Sequence, residues 1–575
     1  MSFSPPFESM QYLMRHAVDL DRILASGDYT DVSDDLIGDI LGGAAQFASD
    51  IMAPLNRTGD QNPAQIEDGN VIASPGFQEL YQSWVESGWQ SLAIGKSHGG
   101  MGLPQIVNAA AAEMFYGANM AFGLCPMLTS SAVKAISAHG SDELKSVYLD
   151  KMVTGEWSGA MDLTEPQAGS DLGPVRTRAV DNGDGTYALT GQKIYITWGD
   201  HDCADNIVHL VLARLPHAPA GSKGISLFLC PKYLVNEDGS PGVRNSFKPI
   251  GLEHKLGING SPTCVMEFDG ATGWLVGLEN RGLACMFTMM NEARLFVGVQ
   301  GVAIGERAYQ QALQYAHDRV QGRVIDGEAE APIIGHPDVR RMLLEMKTRL
   351  MGARAICMAT AAAGDLGDYT REALLTPIAK AYGSDVGVET TSIGVQIHGG
   401  MGFVEETGAA QHYRDSRIAP IYEGTNGIQA IDLVVRKLRR DGGEGMRVLV
   451  AEIDAVPDSV RAVGTPDMSL QAPALAKGVE VLKTATDIIL NASEKDALTG
   501  ATPYLRLCGD VISGVLLIKS AVNGFRARDP HAPNMLALAA YHTAAILPHA
   551  EAQLDLIRAG ASAVFDYPVD RLADL

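Results

Sequence analysis

Between Trp157 and Gly270 the chain runs through six short segments rich in β-branched and aromatic residues: WSGAMDL, TYALTGQKIYITW, NIVHLVLARL, GISLFLCPK, VRNSFKPIG and TCVMEFDG. Turn residues separate them, including Asn182-Gly183-Asp184-Gly185, and no amphipathic helix intervenes. Parallel neighbours need a long crossover, usually a helix, so strands that follow one another directly predict an antiparallel barrel or sandwich rather than a dinucleotide-binding βαβ unit. Helical periodicity flanks this stretch. In FESMQYLMRHAVDLDRILAS the apolar residues Phe7, Met10, Leu13, Met14, Val18 and Leu20 recur at spacings near three and four. LFVGVQGVAIGERAYQQALQYAHDRV continues a helical pattern without a break. With 575 residues the chain is too long for one core. The reading is an α+β protein: an N-terminal helical domain over 1–156, a central antiparallel β domain over 157–281, a helical bundle over 282–440, and an additional helical domain over 441–575. DGGEG at 441–445 marks the last boundary, and DAVPDSVRAVGTPDM reads as a connector. Helices are expected from Ala474 to Ser493, Tyr504 to Arg528 and Asn534 to Ala559.

Charge and motif content exclude several function classes. The formal net charge of -23 leaves no general basic face for nucleic acid. The 14 histidines form no H-E-x-x-H, so no metal site is expected. No G-x-S-x-G is present, which removes the common hydrolase elbow. The 7 cysteines are scattered without a C-x-x-C, as suits a reducing compartment. The N-terminus lacks an apolar signal region and no run of about 18 apolar residues occurs, so the expectation is a cytoplasmic protein with no membrane span.

Four local patterns stand out. LTEPQAGSDLGPVRTRA (163–179) places Thr164, Gly169 and Ser170 in a glycine-containing loop whose N–H groups can meet a flat polar ring or a phosphate. In GQKIYITWG, Tyr195 and Thr197 alternate with Ile194 and Ile196, so they share a strand face and can stack on and bond to a heterocycle. Gly298, Gly301 and Gly305 lie on one side of a helix with no strand before them, which points to close helix packing. HGGMG occurs at 98–102 and again at 398–402, but the flanks KS…LPQIVNAA and QI…FVEETGAA share no pattern. The first copy reads as a structural turn and the second as a ligand-facing turn.

Taken together, TEPQAGSD, GQKIYIT, GLACMFTMMNEAR, ALQYAHDRVQGR, VQIHGGMGF and RDSRIAPIYEGTNGIQ resemble the acyl-CoA dehydrogenase family, in family order over about residues 40–440. FSPPFESMQYL and the long C-terminal extension are similar to the subgroup that handles 3-methylmercaptopropionyl-CoA. The resemblance implies a helical domain, a β-barrel and a helical bundle, with FAD as cofactor. It implies α,β-dehydrogenation of an acyl-CoA thioester: the α proton leaves to a carboxylate and the β hydrogen leaves as hydride to flavin N5. Electron-transferring flavoprotein is the implied electron acceptor, and a homo-oligomer, here a dimer, the implied assembly. An acyl-CoA oxidase, and a non-enzymatic member kept for assembly or nucleic-acid binding, are the competing readings.

The resemblance also assigns residues. Glu423, in IYEGTNG, matches the base; such a carboxylate needs a water-poor pocket to bring its pKa near the working pH. Some family members carry the base just before an arginine matching Arg294, but that position is Ala293 here, and Glu292 is about 100° away around a helix. Thr425 reads as the N-cap of the next helix. Cofactor contacts are implied for Met161, Leu163, Thr164, Gly169, Ser170, Tyr195, Thr197, Arg319, Gln396, Gly399, Gly400, Thr425 and Gly427, with Arg319 on the pyrophosphate. Gln396, Gly399 and Gly400 would meet the FAD of a partner subunit. Substrate contacts are implied for Ser170, Asn291, Arg294, Tyr422 and Gly424, with the Glu423 N–H on the thioester oxygen. After Arg319 the chain reads Val320-Gln321-Gly322-Arg323, where the family often has Thr-Phe-Gly. Met286, Phe287, Met289 and Met290 could line an acyl pocket.

Overall fold

The computed structural model describes residues 3–325, 331–463 and 470–573. The chain gathers into two compact units, one built on Gly42–Ala293 and the other on Pro6–Leu41 with Arg294–Leu575.

In the first unit all six expected strand segments form. They are β1 (Trp157–Asp162), β3 (Tyr187–Thr197), β4 (Asn206–Ala213), β5 (Ser226–Pro231), β6 (Phe247–Leu252) and β7 (Thr263–Val276), with β2 (Arg178–Asp181) added where the stretch read as a loop ends. The spatial order is β1-β4-β5-β7-β3-β2, with β6 beside β7. β7 turns a corner. Its first part pairs with β3 and β6, its last three residues pair with β5, and β7 carries an extra residue between Asp269 and Ala271, shortly before the change of partner. The far edges meet, because the Ala179 N–H donates to Arg214 O (2.9 Å) and the Arg214 N–H to Thr177 O (2.8 Å), just beyond β4. This closes the sheet around a core of Leu189, Ile196, Val211, Phe228, Met266 and Phe268. The pairing departs from antiparallel in two places: β1 runs parallel to β4 from Trp157↔Asn206 to Asp162↔Val211, and the closing bridge Arg178↔Arg214 is parallel too. The β2–β3 hairpin serves as the crossover that a helix more often supplies. β4 and β5 are buried on both faces, which explains why NIVHLVLA and SLFLCP read as unbroken apolar runs.

The same unit holds α1 (Gln105–His139), long and apolar enough to cross a membrane by composition, yet 83% of its apolar window is buried inside the protein. Asn119 leaves helical geometry and its Oδ1 caps the Phe122 N–H (3.1 Å), so α1 is two core helices joined at a kink.

The second unit is a bundle of α2 (Gly282–Asp318, entering from the first unit), α3 (Pro337–Asp365) and α4 (Tyr369–His398), with the short α5 (Asn426–Ile431) beside them. The glycines of α2 meet α4 backbone to backbone, as their spacing suggested. A Cβ on Gly301 would lie 2.2 Å from Gly383 O, and one on Gly298 2.4 Å from Ala379 O. The C-terminal helices run over Ala472–Asn491 (α6), Ala501–Ala527 (α7) and Ala532–Tyr541 continued to His549–Ala559 (α8). α7 packs on the bundle, where Tyr382 donates to Asp510 Oδ1 at 2.9 Å. Part of the expected connector is helical, over Val456–Val463, with the proline near its start where no N–H is needed; residues 464–469 of that segment lie outside the described residues. The N-terminal helix Phe7–His16 belongs to this second unit, its Tyr12 hydroxyl donating to Ser520 O (2.9 Å).

Candidate active site

The candidate residues fall into two sets, one in each unit. In the β unit the loop after β1 is organised by a buried ion pair that the motif reading passed over. Lys193 Nζ donates to Glu165 Oε1 (2.9 Å) and to Leu163 O (3.1 Å), and Glu165 also accepts from the N–H groups of Arg176 and Thr177 and from the Thr177 hydroxyl. Burial alone would push the Glu165 carboxyl up, but Lys193 and these donors hold it down to about 2. With Glu165 anchored, Thr164 O receives the Ile194 N–H (2.9 Å), so the loop lies against β3. Gly169 and Ser170 are exposed at its tip, Met161 and Thr164 are half-buried, and Leu163 is buried.

Beside this loop, β3 carries a bulge. Ile194 and Tyr195 together oppose one residue of β7, and Tyr195 takes a left-handed φ of 61°. Its ring is turned outward, 60% exposed, with Thr197 half-buried on the same side and Ile196 in the core. A non-glycine residue in this conformation is strained, and such strain gathers at working sites. In the same unit Asn291 is exposed, Met286, Met289 and Met290 are buried and Phe287 half-buried. Glu292 is tied to Lys134 (3.4 Å) and Gln105 (3.4 Å), which occupies it as a counterion rather than a base.

In the helical unit, Glu423 and Gly424 both take left-handed φ values, 55° and 83°. A Cβ at Gly424 would meet Gln429 Nε2 at 3.0 Å, so glycine suits this position by conformation and by space. Holding Glu423 in this conformation costs on the order of 1–2 kcal/mol, and the surroundings must impose it. They do so through its carbonyl, which accepts from Arg294 Nε (3.3 Å) and Gln429 Nε2 (3.1 Å). Thr425 caps α5 as expected, accepting from the Ile428 N–H at 3.3 Å. Asn426, the first residue of α5, is held from α4: Lys380 Nζ donates to its Oδ1 (2.8 Å), and its Nδ2 donates to Asp385 Oδ1 (2.7 Å). Tyr422 donates to Gln300 Oε1.

The Glu423 residue as a whole is half-buried, but its Oε2 is enclosed and has no hydrogen-bond partner. Burial pushes the carboxyl up to about 7, against the opposing pull of Arg294 and Lys380. Among the described residues the Glu423 N–H donates to no protein acceptor, leaving a donor beside the carboxyl. A carboxyl that gains and loses its proton near neutral pH, with a free N–H next to it, can take a proton from a carbon acid and steady the oxyanion that results. Sequence reasoning missed Lys380, Asn426 and Gln429. The signal for Lys380 was present: LLTPIAKAYGS is buried throughout, and a lone lysine there is out of place.

The remaining candidates cluster at the end of α4 and after α2. Gln396, Gly399 and Gly400 are exposed, with open space where a Cβ would stand on either glycine. His398 between them is buried, its Nδ1 2.7 Å from Gly394 O and its ring stacked on Tyr315. In the other HGGMG copy a Cβ on Gly100 would lie 2.1 Å from Ile94 O, so the turn has no room for a side chain there. Arg319 is exposed, and among the described residues its one side-chain hydrogen bond is a long one to Gln321 Oε1 (3.4 Å). Gly427 is exposed on the first turn of α5. Among the described residues no cluster could hold a metal ion.

The clamped, enclosed Glu423 carboxyl has the chemistry of a general base. Comparison with known proteins names the class. Acyl-CoA dehydrogenase profiles match in succession: the N-terminal domain over 43–156, the middle domain over 160–271 and the C-terminal domain over 280–438, followed by an acetyl-CoA dehydrogenase C-terminal-like region over 449–568. The chain belongs to the acyl-CoA dehydrogenase family. It is 47% identical to 3-methylmercaptopropionyl-CoA dehydrogenase of Ruegeria pomeroyi, over 91% of each chain. It is 34% identical to the broad-specificity linear acyl-CoA dehydrogenase FadE5 of Mycobacterium tuberculosis, over 89% of this chain and 88% of that one. Its fold is like that of an acyl-CoA dehydrogenase from Bacillus anthracis solved with FAD, with a TM-score of 0.74 at 22% identity over 93% and 91% of the two chains.

FAD is the cofactor of this family. The residues fit such a group. The exposed, bulge-held ring of Tyr195 and the uncrowded Gly169 offer a flat polar surface. Arg319 offers a guanidinium and the open Gly399–Gly400 backbone a close approach.

Proposed function

We propose that this chain oxidises a short acyl-CoA, with 3-methylmercaptopropionyl-CoA as the favoured substrate, and that Glu423 removes the α proton. The observation that carries the assignment of the base is the Glu423 carboxyl itself: enclosed, unpartnered at Oε2, and held near neutral pKa on a doubly clamped loop. The substrate follows from the 47% identical relative of that name, with butyryl-CoA dehydrogenases of Syntrophomonas wolfei at 35–36% identity pointing to the same short chain length.

In this reading the ionised Glu423 receives the α proton at a carboxylate oxygen, and its own N–H donates to the thioester oxygen as negative charge develops there. A donor of this kind acts more on the transition state than on the bound substrate. Arg294 keeps the base in register by holding its carbonyl, and Ser170, Asn291, Tyr422 and Gly424 are the proposed substrate contacts. Thr164, Ser170, Tyr195, Thr197 and Arg319 would hold FAD, joined by Gln396, Gly399 and Gly400 of a partner subunit. When bound, FAD supplies the acceptor for the β hydrogen and its two electrons. Electron-transferring flavoprotein as the onward acceptor, a homodimer, and a cytoplasmic location complete the proposal.

The test is Glu423→Gln, assayed with 3-methylmercaptopropionyl-CoA, butanoyl-CoA and an artificial acceptor. The variant should keep FAD and lose nearly all turnover; near-wild-type kcat would remove the base assignment. In the wild type, a preference for butanoyl-CoA would overturn the substrate, and oxygen consumption matching turnover would favour an oxidase. Sedimentation of the intact chain tests the dimer.

A further inference from the structure

The loop that carries Glu423 is fastened on one side by Arg294 and on the other by a residue to which no role has been given. Lys380 lies on α4 with its side chain fully buried. Among the described residues its ammonium has one hydrogen-bond acceptor, Asn426 Oδ1 at 2.8 Å. A buried ammonium with donors to spare is unfavourable unless a nearby negative charge compensates it. Asn426 cannot do so, being neutral, and it is itself immobilised. Its Oδ1 also accepts from the Ser384 hydroxyl (3.3 Å), and its Nδ2 donates to Asp385 (2.7 Å), Ser384 (3.0 Å) and Ala381 O (3.3 Å). Oxygen faces donors and nitrogen faces acceptors, so the amide is locked and α5 starts where Lys380 and α4 put it.

The charged groups around Glu423 come from three elements. α2 supplies Arg294, α4 supplies Lys380 and Asp385, and the segment after α5 supplies Asp432 and Arg436. Arg294 is partly offset by Asp432 at 3.7 Å. Lys380 is the cation whose direct hydrogen-bond partner is neutral, and its charge adds to the larger effect of Arg294 in favouring the ionised Glu423 carboxyl. Burial pulls the lysine down to about 7, with Glu423 and Asp385 drawing it back up.

We infer that Lys380 is a positioning residue for the base: it seats Asn426, and with it the loop bearing Glu423, and its positive charge favours the ionised form of the Glu423 carboxyl. The inference rests on Glu423 being the base. Lys380→Met removes the charge and the hydrogen bond while keeping the length of the side chain. With butanoyl-CoA and an artificial acceptor, the acid limb of kcat/KM against pH should move upward by about one pH unit or more, because the base loses a cation that favoured its ionised form. The corresponding loss is about tenfold at pH 6, largely regained by pH 9. An acid limb that stays in place, with activity lowered equally at every pH, would reduce Lys380 to a structural role and overturn the inference. Asn426→Asp tests the same idea without emptying the site, since a carboxylate facing Lys380 neutralises its field; the limb should again move upward, and no movement would count against the proposal. Glu423→Gln run alongside separates the two claims. If it keeps turnover, the base assignment has failed; if it is inactive while both limbs stay fixed, only the role of Lys380 has failed.

Discussion

The Glu423 carboxyl is an expensive group to keep charged, and that cost should be visible as stability released by Glu423→Gln. In the unfolded chain this carboxyl ionises at the ordinary value of 4.5; in the folded protein burial raises this to about 7. Between those pH values the folded state keeps a proton that the unfolded state has released, so stability falls as pH rises through the window. Below about 4.5 both states are protonated and the penalty is absent. Above about 7 it is complete, amounting to about 3 kcal/mol at about 1.4 kcal/mol for each tenfold change in the proton equilibrium. Glutamine has nearly the same shape and never titrates. Denaturant titrations of FAD-loaded wild type and Glu423→Gln at pH 5 and pH 8.5 should therefore diverge. The variant is the more stable by up to about 3 kcal/mol at the higher pH, and by less than about 1 kcal/mol at the lower. A difference that is the same at both pH values, or a wild type that is more stable at pH 8.5, would refute the account of Glu423 as a carboxyl ionised against its surroundings.

Other expectations follow from contacts described above. Gly301→Val would drive a side chain into the Gly383 carbonyl, 2.2 Å from the new Cβ; a loss of about 1–3 kcal/mol or more is expected in thermal denaturation, with kcat/KM falling as α4 is displaced. Lys193→Met strands the buried Glu165 carboxylate and should cost about 3–5 kcal/mol at pH 7. Because Glu165 sits at about 2 when paired, the wild-type pair contributes in full above about 4.5 and loses its contribution as pH falls toward 2, so the two proteins should converge in acid. Arg319→Ala should retain less FAD after extensive dialysis, read from flavin absorbance per chain; equal occupancy would remove Arg319 from the cofactor's contacts.

The strands were legible because five of the six segments carried β-branched residues between clear turns, and β4 and β5 announced their double burial as apolar runs. What the sequence did not disclose was pairing. The parallel match of β1 with β4 and the closure of Thr177–Ala179 on Arg214 depend on residues far apart in the chain, and neither leaves a local signature. The bulge at Tyr195 was hidden for a related reason: Ile194-Tyr195-Ile196-Thr197 alternates well enough to pass for a regular strand. In the helical unit the spacing of Gly298, Gly301 and Gly305 gave the packing, and Thr425 its cap, since both effects act within one or two turns. The network of Lys380, Asn426 and Gln429 around Glu423 combines three elements, and only the lysine stood out against its neighbours. The helix at Val456–Val463 was read as connector because Pro457 suggested a break where it in fact sits near a helix start.

The tie between the N-terminal helix and α7 imposes an order on synthesis. His16 Nε2 meets Asp529 Oδ2 at 2.9 Å across a separation of 513 residues, and Asn523 reaches back to His16 O. At roughly 5–20 residues per second a ribosome needs about 25–100 s to make the second partner after the first. Gly42–Ala293 is complete about half-way through that interval and free to close its sheet, while the partners that Tyr12 and His16 meet at Ser520 and Asp529 have yet to be made. The packing of the N-terminal helix is therefore finished only when α7 emerges.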